Sequence, residues 1–194
     1  MCVHDLCIDT MPETISDKAA LRRELLADRQ AITPEVRRQW NIAICAHLGA
    51  WWERHQMRTL GVYWPIRGEV DLRTAYDALR ERGVRLALPV VVDKNSPLQF
   101  IEWQAGVTMT KDNYGVMVPT NGVITRPEAL LIPCVGFNAQ RFRLGYGGGF
   151  YDRTLAVSPR PLAVGISYAC ALAAFEADTH DVALDAIITE NSAL

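Results

Sequence analysis

This chain has no apolar run approaching the roughly 20 residues that a membrane-spanning helix needs. Its first fifteen residues carry Asp5, Asp9 and Glu13 and lack the basic start and long apolar centre of a secretory signal. They read as a mobile tail ahead of one domain over residues 16–194. Cysteine is sparse and odd in number: Cys2, Cys7, Cys45, Cys134 and Cys170, none paired at zinc-knuckle or thioredoxin spacing. That excludes a disulfide framework and leaves reduced thiols in a cytoplasmic protein. Cys134 lies in an apolar run and reads as a small core residue. A net charge of -2 excludes a nucleic-acid coat. His4, His47, His55 and His180 are scattered without metal-ligand spacing, and no serine stands in a nucleophile elbow, so covalent hydrolase chemistry has no support. Internal repeats, low-complexity tracts and linkers are absent too.

What is present fits a soluble monomer with a substantial core: 49% of 194 residues are hydrophobic and 22% charged. Ser16 is placed to cap a helix running to Ala31, with Leu21, Leu25 and Ile32 toward the core. Thr33-Pro34-Glu35 opens a second helix, with threonine as cap and proline in the first turn. Val36, Trp40, Ile44, Leu48 and Trp51 then recur at helical spacing, which marks a core face. Leu60 to Trp64 reads as a buried strand ended by Pro65. Asp71 begins a helix with Leu72, Ala75, Tyr76 and Leu79 on one side, and Gly83 ends it. Further strands are expected over Val84 to Val92, where Pro89 marks an end or a bulge. Others are expected over Leu98 to Trp103, Leu130 to Phe137, Leu162 to Ile166 and Ala186 to Ile188. Residues 104–128 read as mostly loop, and an Ala-rich helix is expected to run through Phe175.

Strands and helices alternate, and the strands are apolar throughout. That pattern predicts an α/β fold: a three-layer α/β/α arrangement with a mainly parallel central sheet, Rossmann-like. Ligands of such sheets sit beyond the carboxyl ends of the strands.

The most informative segment follows one of those strands. Residues 143 to 152 read Arg-Leu-Gly-Tyr-Gly-Gly-Gly-Phe-Tyr-Asp. Gly147, Gly148 and Gly149 leave a run of backbone N–H groups uncovered, and a helix signal over Phe150 to Ala156 follows at once. Such groups at a helix start form an anion cradle. Arg143 can pair with phosphate oxygens and Asp152 can hold a divalent cation. The segment lacks the Walker order of glycines and lysine, and it satisfies only part of a dinucleotide fingerprint. By itself the Gly-Tyr-Gly-Gly-Gly run is compatible with a flexible surface turn, but Arg143, Asp152 and the helix opening at the last glycine favour phosphate binding. Lys18 and Arg22 share a helix face, which alone is the mark of a solvated surface. Glu69 and the pair His180-Asp181 stand in loops beside strands and are ambiguous on their own. Tyr114 is a loop aromatic, suited to a core anchor or to stacking on a heterocycle.

Taken together these residues resemble the 5-formyltetrahydrofolate cyclo-ligases, also called methenyltetrahydrofolate synthetases. Arg143 to Arg153 resembles the family signature, and Lys18-Ala19-Ala20-Leu21-Arg22 its opening Lys-x-x-Leu-Arg helix. Tyr63 to Asp71 resembles the strand and acidic loop that meet folate, and Leu131 to Phe137 the strand leading to the signature. His180-Asp181 with Asp185 to Glu190 resembles the C-terminal element. The resemblance implies an ATP- and Mg²⁺-dependent cyclisation of 5-formyltetrahydrofolate to 5,10-methenyltetrahydrofolate, with release of ADP and phosphate. It also implies roles. Lys18, Arg22, Arg143 and Leu144 through Asp152 (Gly145, Tyr146, Gly147, Gly148, Gly149, Phe150 and Tyr151 between them) would bind ATP, with Arg143 as the catalytic cation. Asp152 and Asp181 would hold magnesium. Trp64, Glu69, Tyr114 and the stretch Tyr146 to Phe150 would meet the folate.

The chemistry implied by the resemblance is phosphorylation of the formyl oxygen to an iminophosphate, which N10 of the folate attacks to close the ring. It needs positioning and charge neutralisation and no nucleophilic side chain. Three positions depart from the family pattern. Asn138 stands where aspartate is usual, Arg141 where glycine is usual, and Val118 precedes Pro119 where many relatives carry glutamate. The first two flank the ATP loop and bear on nucleotide affinity; Val118 bears on the folate pocket. The departures keep open a non-catalytic folate- or nucleotide-binding module of the same fold. A phosphate cradle alone would also suit a sugar-phosphate isomerase.

Overall fold

A computed structural model describes residues 18–192. Ser16 and the tail assigned to residues 1–15 lie outside them. In chain order the elements are α1 (Lys18–Ala31), α2 (Pro34–His55), β1 (Thr59–Gly61), α3 (Arg73–Glu81), β2 (Arg85–Val90), β3 (Gln99–Trp103), β4 (Met109–Lys111), β5 (Met117–Pro119) and β6 (Ile124–Thr125). After these come β7 (Ala129–Pro133), β8 (Gly136–Phe137), β9 (Arg143–Leu144), α4 (Phe150–Leu155), β10 (Leu162–Ile166), a 3₁₀ turn (Ala169–Ala171) and β11 (Ala186–Ile188).

Seven strands form the central sheet in the order β11-β10-β7-β1-β2-β3-β6. The five strands from β11 to β2 run parallel, and β3 and β6 add antiparallel pairs at one side. The chain builds outward from β1 in one direction, then returns to place β7 on its other flank. The order therefore reverses between β1 and β7, the place where ligands of open parallel sheets bind.

The layers follow from burial. Ile44, Leu48 and Trp51 of α2 and Ala75, Tyr76 and Leu79 of α3 pack with Leu60, Leu86, Leu131 and Val164 on one face of the sheet. The opposite face presents Ala87, Leu130, Ile132 and Ala163 to Leu155 of α4 and to Leu184. This third layer is thin, because α4 has only six residues. Thr33 caps α2 as expected, its Oγ1 accepting from the Val36 N–H at 3.4 Å.

Three local expectations need correction. β1 stops at Gly61, so Tyr63 and Trp64 lie in the loop beyond it. The run through Pro133 splits. Cys134 N–H bonds to Ile166 O, Val135 N–H turns to Leu144 O, and β8 pairs with β9 in a separate hairpin. Residues 104–128 are mostly loop as expected, with three short strands set in them, β4 paired with β5 and β6 on the sheet edge. The Ala-rich helix is only a 3₁₀ turn. Leu172 bridges to Phe137 and the Ala173 N–H bonds to Phe137 O, so the chain extends along the hairpin and delivers Phe175 beneath Leu25 of α1.

Pro89 sits inside β2 without a bulge. Arg85 N–H and Ala87 O face β1, so the nitrogen of Pro89 points the same way, beyond the last residue of β1 paired there. No ladder bond is lost.

Candidate active site

Three loops leave the carboxyl ends of β1, β7 and β10, and α1 lies across them. The helix sits there because Leu25 is buried against Val135, Leu144 and Phe175. Its inner stripe then carries Lys18, Arg22 and Arg29 at intervals of about one and two turns from one another. Arg22 Nε donates to Gly145 O at 2.8 Å and so ties the glycine loop to the helix. Lys18 Nζ donates to Asp178 at 2.7 Å and to Asp181 at 2.9 Å.

The glycine loop needs its glycines. Gly147 and Gly149 have φ of +94° and +65°, the second as the residue leading into α4. Among the described residues, the N–H groups of Gly147, Gly148 and Gly149 donate to no protein acceptor. Arg153 holds the loop from behind, donating to Gly148 O at 2.9 Å and Lys94 O at 2.7 Å. These features frame a cleft of about 280 Å³ lined by Lys18, Arg22, the stretch Arg143 to Asp152, and Asp181. The structure thus brings together every residue expected to bind nucleotide and metal.

In that cleft the expected phosphate ligands and metal ligands are paired with each other. Arg143 Nη2 donates to Asp152 Oδ1 at 2.7 Å, and Lys18 to Asp181. Burial works against the charges of Lys18 and Asp181, but it is outweighed by the bonds of Lys18 to Asp178 and Asp181 and of Asp181 to Lys18 and the Asp178 N–H. They hold Lys18 above and Asp181 below the ordinary values. In each aspartate the bonds to protein fall on a single oxygen, Oδ1 of Asp152 and Oδ2 of Asp181. Among the described residues no group of three His, Cys, Asp or Glu side chains is arranged as a metal cage. Two carboxylates with a spare oxygen each, beside a phosphate cradle, suit magnesium, which commonly binds one or two carboxylates plus substrate phosphates.

A second cleft of about 250 Å³ adjoins the first, sharing Pro133, Tyr146, Phe150 and Tyr151 with it. Trp64, Glu69 and Tyr114 line it, as expected of the folate side. Of the signature only Tyr146, Phe150 and Tyr151 reach this pocket; Gly147, Gly148 and Gly149 line the phosphate side alone. Tyr114 is half-exposed and meets Phe150 edge-on at 5.6 Å. Glu69 is 6% exposed, folded inward by a turn at Arg67 and Gly68. Its Oε2 accepts from Ile66 N–H at 2.9 Å and its Oε1 from the Tyr146 hydroxyl at 2.8 Å. Burial raises its proton affinity above the usual carboxylate range, against the pull of those two bonds and of Arg29 and Arg67.

Sequence reasoning missed Arg29, which donates to the same Tyr146 hydroxyl at 2.6 Å. Its position eleven residues after Lys18, three helical turns, was the available signal. Of the departures from the family pattern, Asn138 and Arg141 lie in the turn just ahead of the glycine loop, and Val118 lies outside the folate-side cleft. Asn138 is buried in the turn between β8 and β9, where its amide donates to Phe175 O and its oxygen accepts from Gln140 and Phe142 N–H. Arg141 adopts φ +63° in the same turn. Val118 is buried in β5, and the folate-side cleft takes Val116 instead.

Comparison with known proteins agrees with this geometry. The model of the 5-formyltetrahydrofolate cyclo-ligase family matches residues 14–190. A 5-formyltetrahydrofolate cyclo-ligase of Mycoplasma pneumoniae is 30% identical over 177 residues, 90% of this chain and 99% of that protein. One from Escherichia coli K12 is 27% identical over 172 residues, 83% and 93% of the two chains. Among solved structures, the 5,10-methenyltetrahydrofolate synthetase of M. pneumoniae superposes with a TM-score of 0.76 at 28% identity, covering 90% of this chain and 99% of its own. The Aquifex aeolicus 5,10-methenyltetrahydrofolate synthetase gives 0.79 at 27%, covering 91% of each. With its fold and nearly its whole length matched, the chain belongs to the 5-formyltetrahydrofolate cyclo-ligase family.

Proposed function

We propose that this enzyme cyclises 5-formyltetrahydrofolate to 5,10-methenyltetrahydrofolate at the expense of ATP. The observation that carries the reading is the contact between two unlike clefts. One is lined by cations and unengaged glycine amides; the other is aromatic with one buried carboxylate. They meet at Tyr146, Phe150 and Tyr151. A γ-phosphate in the first lies next to a pterin in the second.

Each residue then has a physical task. Lys18, Arg22, Arg143 and the loop amides hold the phosphates and neutralise charge on the moving phosphoryl group, Arg143 being the catalytic cation. Asp152 and Asp181 hold the magnesium ion, which supplies further neutralisation of the polyphosphate. On the folate side Trp64, Tyr114 and Phe150 enclose the pterin. Glu69 accepts from its N–H donors. The formyl oxygen takes the γ-phosphoryl group and ADP leaves. N10 attacks the activated carbon and loses its proton, the carbon–oxygen bond breaks, and phosphate departs with the oxygen. The aromatic walls limit water, which would otherwise compete with N10.

On this reading the protein is a cytoplasmic monomer acting on small molecules, with residues 16–194 as its one domain. Free thiols at Cys45, Cys134 and Cys170 support the compartment, and no helix among the described residues is long and apolar enough to cross a membrane. The binding-module alternative, motivated by Val118, Asn138 and Arg141, would bind folate without ATP-dependent turnover. The test mixes purified protein, ATP, Mg²⁺ and 5-formyltetrahydrofolate and follows the methenyl chromophore. Absence of that signal where a relative turns over rejects the reading.

A further inference from the structure

Arg29 is 6% exposed, and a buried guanidinium is costly unless an opposite charge and hydrogen bonds answer it. Its Nη1 reaches Cys134 O at 3.4 Å and its Nη2 the Tyr146 hydroxyl at 2.6 Å. That hydroxyl in turn donates to Glu69 Oε1 at 2.8 Å. One phenolic oxygen thus joins the deepest cation of α1 to the buried carboxylate of the folate-side pocket. Arg29 Nε is buried and has no protein acceptor. A small, partly open cavity of about 10 Å³ lies against Arg29, Glu69 and Ser167, about the room one water requires.

We propose that Arg29 is a positioning residue of the pterin pocket. It holds the Tyr146 hydroxyl on Glu69 and supplies the counter-charge that keeps this buried carboxylate ready to accept from a pterin. The inference rests on the folate reading of that pocket. It goes beyond the opening Lys-x-x-Leu-Arg stretch, which ends at Arg22.

The surroundings of Glu69 leave this task to few groups. Tyr63, Tyr76 and Tyr151 are pushed above the usual phenol range, chiefly by burial, and the Cys134 thiol is pushed up to about 12 by burial as well. All four are neutral near pH 7. The Tyr146 phenol is raised too, by burial and then by Glu69, so it remains a donor. Arg67 is the other cation, but it is exposed and stands over the Tyr146 ring at 5.6 Å. Burial raises the proton affinity of Glu69 and Arg29 opposes that rise. Removing Arg29 therefore lets Glu69 hold its proton to higher pH. An uncharged acid gives up the acceptor strength on which pterin binding depends.

The experiment compares wild type with Arg29→Met, Arg29→Lys and Tyr146→Phe. It reads KM for each substrate, kcat, and the pH dependence of kcat/KM for 5-formyltetrahydrofolate. Arg29→Met is expected to raise the folate KM about tenfold, equivalent to one charge-assisted hydrogen bond. It should leave the ATP KM within about threefold and move the acid limb up by about one pH unit, the effect of a nearby opposite charge. Arg29→Lys restores the limb because it restores the charge, and recovers only part of the KM. An acid limb that stays in place in Arg29→Met overturns the proposal, as does an equal loss toward both substrates.

If Arg29→Met does not fold, Tyr146→Phe, which removes only the bridging oxygen, must still raise the folate KM. An unchanged folate KM there overturns the proposal. If the wild type forms no methenyl product, the catalytic reading falls by itself. Calorimetric folate binding by the same proteins from pH 5 to pH 8 then decides the role of Arg29: weaker binding by Arg29→Met at low pH supports it, and equal binding or none overturns it.

Discussion

Replacing Asp152 by asparagine should weaken the enzyme's hold on magnesium while strengthening its hold on metal-free ATP. Arg143 Nη2 lies 2.7 Å from Asp152 Oδ1, with the arginine side chain 6% exposed and the aspartate 22%. In the free protein this carboxylate competes with phosphate for the guanidinium. Asparagine keeps an acceptor in place but removes the charge. A full charge-assisted hydrogen bond contributes about 1.5–3 kcal/mol, and the partial exposure of Asp152 cuts this to about 1–1.5 kcal/mol, or roughly tenfold in affinity. ATP in the presence of a chelator should therefore bind Asp152→Asn about tenfold more tightly than wild type. The magnesium concentration needed for half-maximal turnover should rise by a similar factor, since one of two carboxylate ligands has lost its charge. The fold itself should lose only about 1–2 kcal/mol, because Val182 O and the Tyr151 ring also face the guanidinium. Calorimetric titration with chelator and with excess magnesium, beside urea melts, measures all three. If metal-free ATP binds the variant more weakly, in step with the magnesium complex, Asp152 acts on the nucleotide directly and the metal assignment is wrong.

Three further outcomes follow from the same geometry. Tyr114→Ala removes the edge contact to Phe150 on a half-exposed loop, so the folate KM should rise about threefold to tenfold with the ATP KM unchanged; steady-state kinetics checks this. The proton affinity of Glu69 is raised in the folded protein, so its contribution favours folding at low pH and is lost as pH rises through its folded value. Glu69→Gln removes that pH dependence, so its Tm relative to wild type should rise between pH 5 and pH 8, while the loss of the charge that answers Arg29 lowers its Tm throughout, and it should bind folate poorly. A Tm difference that stays constant with pH would show that Glu69 has the same proton affinity folded and unfolded. Arg141 sits at φ +63°, so Arg141→Gly should be neutral to stabilising by about 0.5–1 kcal/mol in urea melts, with unchanged kinetics.

The sequence exposed the parts of this molecule whose signals are local and hid those that depend on partners far along the chain. Helix α2 was legible because its Thr33 cap and its period agree, and α3 because its period and the Gly83 stop agree within a few residues. The parallel strands were legible because burial on both faces leaves unbroken apolar runs. The failures share a cause. β4, β5 and β6 have two or three residues each and exist by pairing with segments that no local pattern names. The stretch after Tyr168 has helical composition, yet its carbonyl and amide partners lie on Phe137 and the 3₁₀ turn, so the chain extends.

The site divides in the same way. The charged residues of the first cleft were visible in the sequence, but not the pairing of Lys18 with Asp181 and of Arg143 with Asp152, which is a tertiary fact. Arg29 is the instructive case. Its spacing from Lys18 was visible, but an arginine on the stripe of Leu25 conflicts with the rule that a buried face is apolar. The conflict resolves only when Tyr146 and Glu69 arrive from 117 and 40 residues away to answer the charge. A charged residue on an otherwise apolar helix stripe is thus a sequence-level pointer to a buried polar network. Here that network joins the glycine loop of the first cleft to the buried carboxylate of the second, so the two clefts are tied through one side chain.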